Sequence, residues 1–256
     1  MKIFVAMHKY VNIDINNRLY VPILVGNNKK EKKIDILSDD TGDNISKKNT
    51  NYCELTAVYW IWKNSKEDIV GLCHYRRFLS KKFFSSNSKY YINEDDLRED
   101  FNNGYNVILP KKFFYYKKIK DSFNIAPNKN DMKIVKESIE RLYPDYLKDL
   151  DKYFNSNSSY LCNVIVTKKE IFDEYCEWLF DVLADVEKNM DKETYINDSY
   201  RKRMFGFLSE RLLNIWLYHN QESLKIKEYY LINTEEKFNK KLSYLIKQTI
   251  LKIINK

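Results

Sequence analysis

The chain has 256 residues, of which 44% are hydrophobic and 15% aromatic, and a formal net charge of +8. That apolar content excludes global disorder and suffices for one large domain, or a domain with a small appendage. Glycine and proline are scarce, which argues against a loop-rich β-sandwich and for long helices on a modest sheet; the basic balance favours an anionic partner without choosing among nucleic acid, an acidic membrane surface and a phosphate-bearing small molecule.

In chain order, Lys2–Met7 reads as a first core strand and Val21–Val25 as a second extended piece. Ile34–Leu37 leads into the turn-forming cluster Ser38–Asn44. Ser46–Asn51 prepares a helix whose Glu54, Leu55, Val58, Tyr59 and Trp62 recur at helical spacing. Asp68–Tyr75 has the pattern of a buried strand, with Ile69–Cys73 apolar and the end polar and basic. Val107–Leu109, halted by Pro110, is another strand, and Lys111–Asn130 reads as an irregular basic and aromatic loop. Met132–Leu142 is helical with Pro144 as a stop signal. Tyr160–Thr167 reads as a strand, Lys169–Lys188 and Phe205–His219 as helices, and Tyr229–Ile232 as a late strand. This order predicts an α/β fold with a mainly parallel central sheet flanked by helices. From Glu235 the chain changes character: Phe238, Leu242, Leu245, Ile246, Ile250 and Ile254 form an apolar stripe among lysines. The expected division is therefore a domain over 1–234 and a basic amphipathic helix over 235–256, which either packs on the domain or lies on a membrane surface.

The four cysteines form no CxxC pair, so neither a zinc site nor a disulfide framework is expected. The first residues carry too short an apolar run for a signal peptide, and no segment reaches the length of a membrane span. A cytoplasmic protein, soluble or peripheral on the inner membrane face, is the expectation.

Two clusters fall where open α/β sheets bind ligands, beyond the carboxyl ends of strands. One is acidic: Asp39, Asp40, Asp43 and Asn44, residue types that suit ribose hydroxyls or a metal but also make plain turns. The other is His74, Tyr75, Arg76 and Arg77, whose arginines suit a diphosphate through charge-assisted bonds, or else simply pair with surface acids. Together they read as a nucleotide-diphosphate site, with Asn49 and Glu54 supporting the loop from the next helix. Glu210, near a helix start among apolar residues, has the setting of a general base; by spacing alone, a helix-dipole role with Arg211 as its partner is favoured. No cofactor is implied. A divalent Mn²⁺ or Mg²⁺ on the acidic loop stays open without support from the strand end, which has no acidic pair. Nucleic acid is not expected as a partner: Lys111–Lys120 interleaves aromatics and lysines, but recognition signatures are lacking and the acidic loop would repel a phosphate backbone.

Five strings, SDDTGDNIS from Ser38, YCELTAVYWIWKN from Tyr52, IVGLCHYRRFL from Ile69, CNVIVTKKEIFDEYCEWLF from Cys162 and RMFGFLSERLL from Arg203, resemble a bacterial family first catalogued as a domain of unknown function. Its members sit among capsule and O-antigen synthesis proteins and are regarded as glycosyltransferases, some associated with galactofuranose or galactose transfer. The resemblance implies a GT-A-like fold and a nucleotide-sugar donor, a UDP-sugar, acting on a glycan or lipid-linked glycan acceptor. It also implies that cations at the strand end neutralise the leaving diphosphate, and that Glu210 is the inverting base. Asp131, Cys162, Asn163 and Arg203 are the implied acceptor contacts. Family members often carry a Tyr and a His in the region matching Asp121–Asp131, where this chain reads DSFNIAPNKND. The alternative is a sugar-nucleotide-binding or glycan-assembly protein with the same fold and no turnover.

Overall fold

The apolar runs at Lys2–Met7 (β1) and Ile69–His74 (β4) become central, parallel neighbours in an eight-stranded sheet. The structure is a computed structural model and describes residues 1–12, 18–26, 36–122, 129–190 and 201–254. Outward from β1 lie Tyr20–Leu24 (β2) and Leu37–Ser38 (β3), both parallel to it. Residues 34 and 35 of the expected extended piece before β3 lie outside the described residues. On the other side, β4 turns through Tyr75 and Arg76 into the antiparallel Arg77–Ser80 (β5). β4 also pairs along its length with Ile165–Lys168 (β9), antiparallel. Val107–Pro110 (β6) joins β9, and Ile226–Asn233 (β10) lies between β6 and β5. Six of the eight strands run one way and only β5 and β9 reverse, so the mainly parallel sheet is what forms. A second, two-stranded sheet pairs Phe113–Phe114 (β7) with Ser158–Ser159 (β8).

Strand alternation explains why both faces are covered. On β1, Phe4 and Ala6 point into one buried cluster, and Ile3, Val5 and Met7 into the other. The first cluster is packed by Leu55–Asn64 (α2), Lys129–Leu142 (α4), Leu147–Asn155 (α5), Lys169–Asn189 (α6) and Met204–His219 (α7). The second is closed by Leu97 of Glu94–Asn102 (α3). Gly71 is required on β4 because a Cβ there would lie 2.6 Å from Val166 Cγ2 and 2.8 Å from the Ile165 carbonyl on β9. Helix α7 is apolar nearly all round and runs through the core. Its start is fixed where Phe205 stacks on Tyr52 of the short helix Asn49–Tyr52 (α1), ring centroids 4.6 Å apart.

Differences from the expected elements have local causes. The helix expected through residues 46–62 is broken at Cys53, whose φ of 53° and ψ of −130° stop α1 before α2 begins. The strand expected over Tyr160–Thr167 begins only at Ile165, because Cys162 and Asn163 take left-handed φ values of 71° and 49°. Pro144 follows α4 but also opens a 3-10 turn, Pro144–Tyr146. The tail forms the helix Phe238–Ile254 (α8), docked on the domain through polar and aromatic side chains and the buried Leu251: Gln248 bonds both backbone groups of Phe114, Lys241 donates to Ser86, and Tyr244 packs on Phe83 and Phe113.

Candidate active site

β1 and β4 end side by side, and a cavity of about 540 Å³ opens beyond their carboxyl ends. Parallel strands place such a crevice there because the chain must leave both strand tips in the same direction. His8, just after β1, and His74, Tyr75, Arg76 and Arg77, at the tight β4–β5 turn, form one wall. The rest of the lining comes from the α1–α2 junction (Asn49, Cys53, Glu54), the Cys162 turn, Arg203, and Phe207 and Glu210 of α7.

The cationic wall is only partly neutralised. Arg76 pairs with Glu235 at 2.8 Å and lies over the Tyr75 ring. Arg77 makes no ion pair among the described residues, and its charge reaches Glu210 and Cys162 across the cavity. His8 packs edge-on against Tyr75; its pKa is lowered by burial first, then by the charges of Lys9, Arg76 and Arg203. A neutral imidazole beside several guanidiniums marks a site whose field favours an anion.

The backbone that carries Glu54 and Glu210's partners is strained. The three non-glycine residues with left-handed φ among the described residues are Cys53, Cys162 and Asn163, and all belong to this site. Such backbone costs roughly 1–3 kcal/mol per residue and persists only where surroundings enforce it. Asn49 donates to the Cys53 carbonyl at 2.7 Å and to Thr56 at 3.0 Å. His74 Nε2 donates to the Cys162 carbonyl at 2.9 Å. Asn163 donates to Glu54 at 2.8 Å and to Ser209 at 2.8 Å. Gly206 is pressed against this junction: a Cβ there would lie 3.3 Å from Cys53 Cβ.

The turn aims the Cys162 N–H at Glu210 Oε1, 3.1 Å away, while Glu210 Oε2 meets Arg211 at 3.2 Å. The Glu210 side chain is 20% exposed, enough for a hydroxyl to reach it. Burial pushes its pKa above the ordinary carboxylate range and the neighbouring Glu54 adds to this; Arg211, the Cys162 N–H and Arg77 pull the other way. A carboxylate in this state holds a proton more readily than a solvated one, the property a general base needs. Burial likewise pushes the Cys162 thiol up to about 12, so at neutral pH it is a contact and not a nucleophile.

The structure brings together Asn49, Glu54, His74, Tyr75, Arg76, Arg77, Cys162, Arg203 and Glu210 of the expected residues. Asn163 lies directly behind them through Glu54. It does not bring Asp39, Asp40, Asp43, Asn44 or Asp131 to the cavity lining. Asp39 is fully buried; its carboxylate takes the Gly26 N–H and the Ser46 hydroxyl. Asp43 and Asn44 close a surface turn, Asp43 against Tyr59 and Asn64, and Asn44 onto the Gly42 carbonyl. Asp131 is buried in the first turn of α4, and most of the segment before it, residues 123–128, lies outside the described residues. Both alternative pairings read from the sequence occur, Glu210 with Arg211 and Arg76 with an acid, and neither removes its residue from the cavity. Sequence reasoning missed His8, Thr50, Cys53 and Phe207; for His8 the signal was its place just after the first apolar strand. The strand end is cationic, Asp39 is satisfied by protein donors, and among the described residues no three His, Cys, Asp or Glu gather to hold a metal.

Fold and cavity define the class: an α/β domain with a cavity at the tips of its parallel strands, lined by arginines and two glutamates. The chain belongs to the family described as a domain of unknown function, DUF4422, whose model matches residues 2–221. It is similar to the WbbM bifunctional glycosyltransferase, solved in its apo form, with 31% identity and a TM-score of 0.73. That match covers 92% of this chain and 45% of the other, so this chain spans less than half the length of that relative. A second solved structure, the mannosyltransferase Ktr4p from S. cerevisiae in complex with GDP, aligns over 88% of this chain and 68% of its own. That alignment has 11% identity and a TM-score of 0.37. No curated protein matches the sequence.

Proposed function

We propose that the chain is a glycosyltransferase that moves a hexosyl group, galactosyl or galactofuranosyl, from a UDP-sugar to a hydroxyl of a growing capsular or O-antigen polysaccharide, with inversion. The observation that carries this reading is the pairing, across one cavity, of an electropositive strand end with a half-buried carboxylate of raised pKa. The 31% identity and shared fold with a glycosyltransferase support the reaction class.

In the proposed reaction the donor diphosphate lies against Arg77, Arg203 and the β1 and β4 tips. Their charges stabilise the negative charge that builds on the leaving group. Glu210 takes the proton of the acceptor hydroxyl as that oxygen bonds to the anomeric carbon, and the bond from that carbon to the diphosphate oxygen breaks. The products are the glycoside, the nucleoside diphosphate and a protonated Glu210. One displacement at one carbon inverts it, and the protonated Cys162 is consistent with a route that needs no thiolate intermediate. His74 acts from behind: its Nε2–H holds the Cys162 carbonyl, and so fixes the N–H that orients Glu210.

Calorimetric titration of UDP into the protein, with and without EDTA, tests the donor reading. The expected result is equal binding in both. No heat of binding under either condition, or with added Mn²⁺, sinks the UDP-donor reading.

A further inference from the structure

Helix α8 is docked with most of its apolar stripe turned outward. An amphipathic helix on a folded domain normally buries that stripe, whereas here the buried side chains are Lys241, Gln248 and a single apolar one, Leu251, at 4%, 8% and 5% exposed. Leu242, Ile246, Ile250, Ile253 and Ile254, on successive turns, are 41% to 67% exposed. Leu242, Ile246, Ile250 and Ile254, with the buried Leu251 and with Tyr116, 80% exposed, bound an open apolar groove along the helix. The dock is specific: Gln248 bridges both backbone groups of Phe114, Lys241 reaches Ser86, and Tyr244 stacks on Phe83. The orientation that exposes the stripe is therefore held by directional bonds.

Charge decides what this face fits. Lys237, Lys240, Lys247 and Lys252 are exposed, and α8 contains no Asp or Glu. On the helical wheel, Lys240 and Lys247 fall at one margin of the stripe and Lys252 at the other. A second copy laid against the stripe would bring the same lysines together. An anionic bilayer accepts both features at once, with isoleucines in the acyl boundary and ammonium groups among the headgroups. At 17 residues with flanking lysines, and with no helix among the described residues long and apolar enough to cross a membrane, α8 suits the plane of the interface.

We infer that the outer face of α8 is a membrane-docking surface that seats the protein on an anionic lipid bilayer. The inference goes beyond the proposed sugar transfer and does not depend on it, because its test reads no turnover. Full-length protein is co-sedimented with phosphatidylcholine vesicles containing about one-third phosphatidylglycerol, and with pure phosphatidylcholine vesicles, at low and high salt. The wild type is expected to bind the anionic vesicles, and to lose most of that binding at high salt. The Ile246→Glu/Ile250→Glu variant is expected to bind them about tenfold less or weaker still, at an unchanged thermal midpoint, because its stripe no longer enters the acyl boundary. Lys240→Glu/Lys247→Glu is expected to weaken binding to anionic vesicles selectively. The inference is overturned if the wild type ignores anionic vesicles, or if the stripe variant binds as well as wild type. It is also overturned if the stripe instead drives a dimer in solution that the same variant dissolves.

Discussion

The acidic turn at residues 39–44 and the strand-end cavity around Arg77 and Glu210 look alike in sequence, as polar clusters following apolar strands. In the structure they behave in opposite ways. Three of the turn's polar side chains are taken up within the fold: Asp39 is fully buried on Gly26 and Ser46, Asn44 folds onto the Gly42 carbonyl, and Asp43 is met by Tyr59 and Asn64. The cavity leaves chemistry facing outward. It holds Arg77 without an ion pair among the described residues, a Glu210 raised by burial, and three strained backbone positions pinned by neighbouring side chains. Residue type was the same kind of signal in both. What separates them is whether the hydrogen-bonding and charge capacity is used up within the fold.

Substitutions on the two sides should therefore have different signatures. Arg77→Ala gives the larger effect: turnover of a UDP-sugar is expected to fall about 10²–10³-fold, and UDP affinity to weaken measurably, with the thermal midpoint unchanged. Wild-type UDP affinity in that variant, by calorimetry, would remove Arg77 from the diphosphate. Asp39→Ala gives the smaller effect on turnover and acts through stability. Leaving the Gly26 N–H and the Ser46 hydroxyl unpaired is expected to cost about 1–3 kcal/mol in urea unfolding. Activity measured well below the unfolding transition should stay within about threefold of wild type. A loss of turnover as large as that of Arg77→Ala, in a fully folded protein, would restore the acidic turn to the site.

The large elements were legible because their signals are redundant. β1 and β4 are short apolar runs, α6 and α7 keep a helical period over four turns or more, and the apolar stripe of α8 is plain in the sequence. Helix α3 was overlooked although Asn93 and Asp96 form a capping box that the sequence carries openly. The Cys162–Asn163 turn was not legible, because cysteine gives no hint of left-handed φ; the position is enforced by His74 and Glu54, far away in the chain. The same limit applied to α8. Its stripe was readable, but which side the domain would hold depended on Gln248 and Lys241 finding Phe114 and Ser86.

The account rests on Glu210 as the base. Its folded pKa is raised, so turnover should climb with pH through a value above the ordinary carboxylate range, as the base loses its proton. The most direct measurement is the pH dependence of UDP-sugar turnover by wild type and Glu210→Gln, with UDP affinity determined alongside. The account predicts a rising acid limb in the wild type, and a variant about 10²–10⁴-fold slower that lacks that limb while binding UDP within about twofold of wild type. A Gln variant that turns over at the wild-type rate with the same pH profile would contradict it.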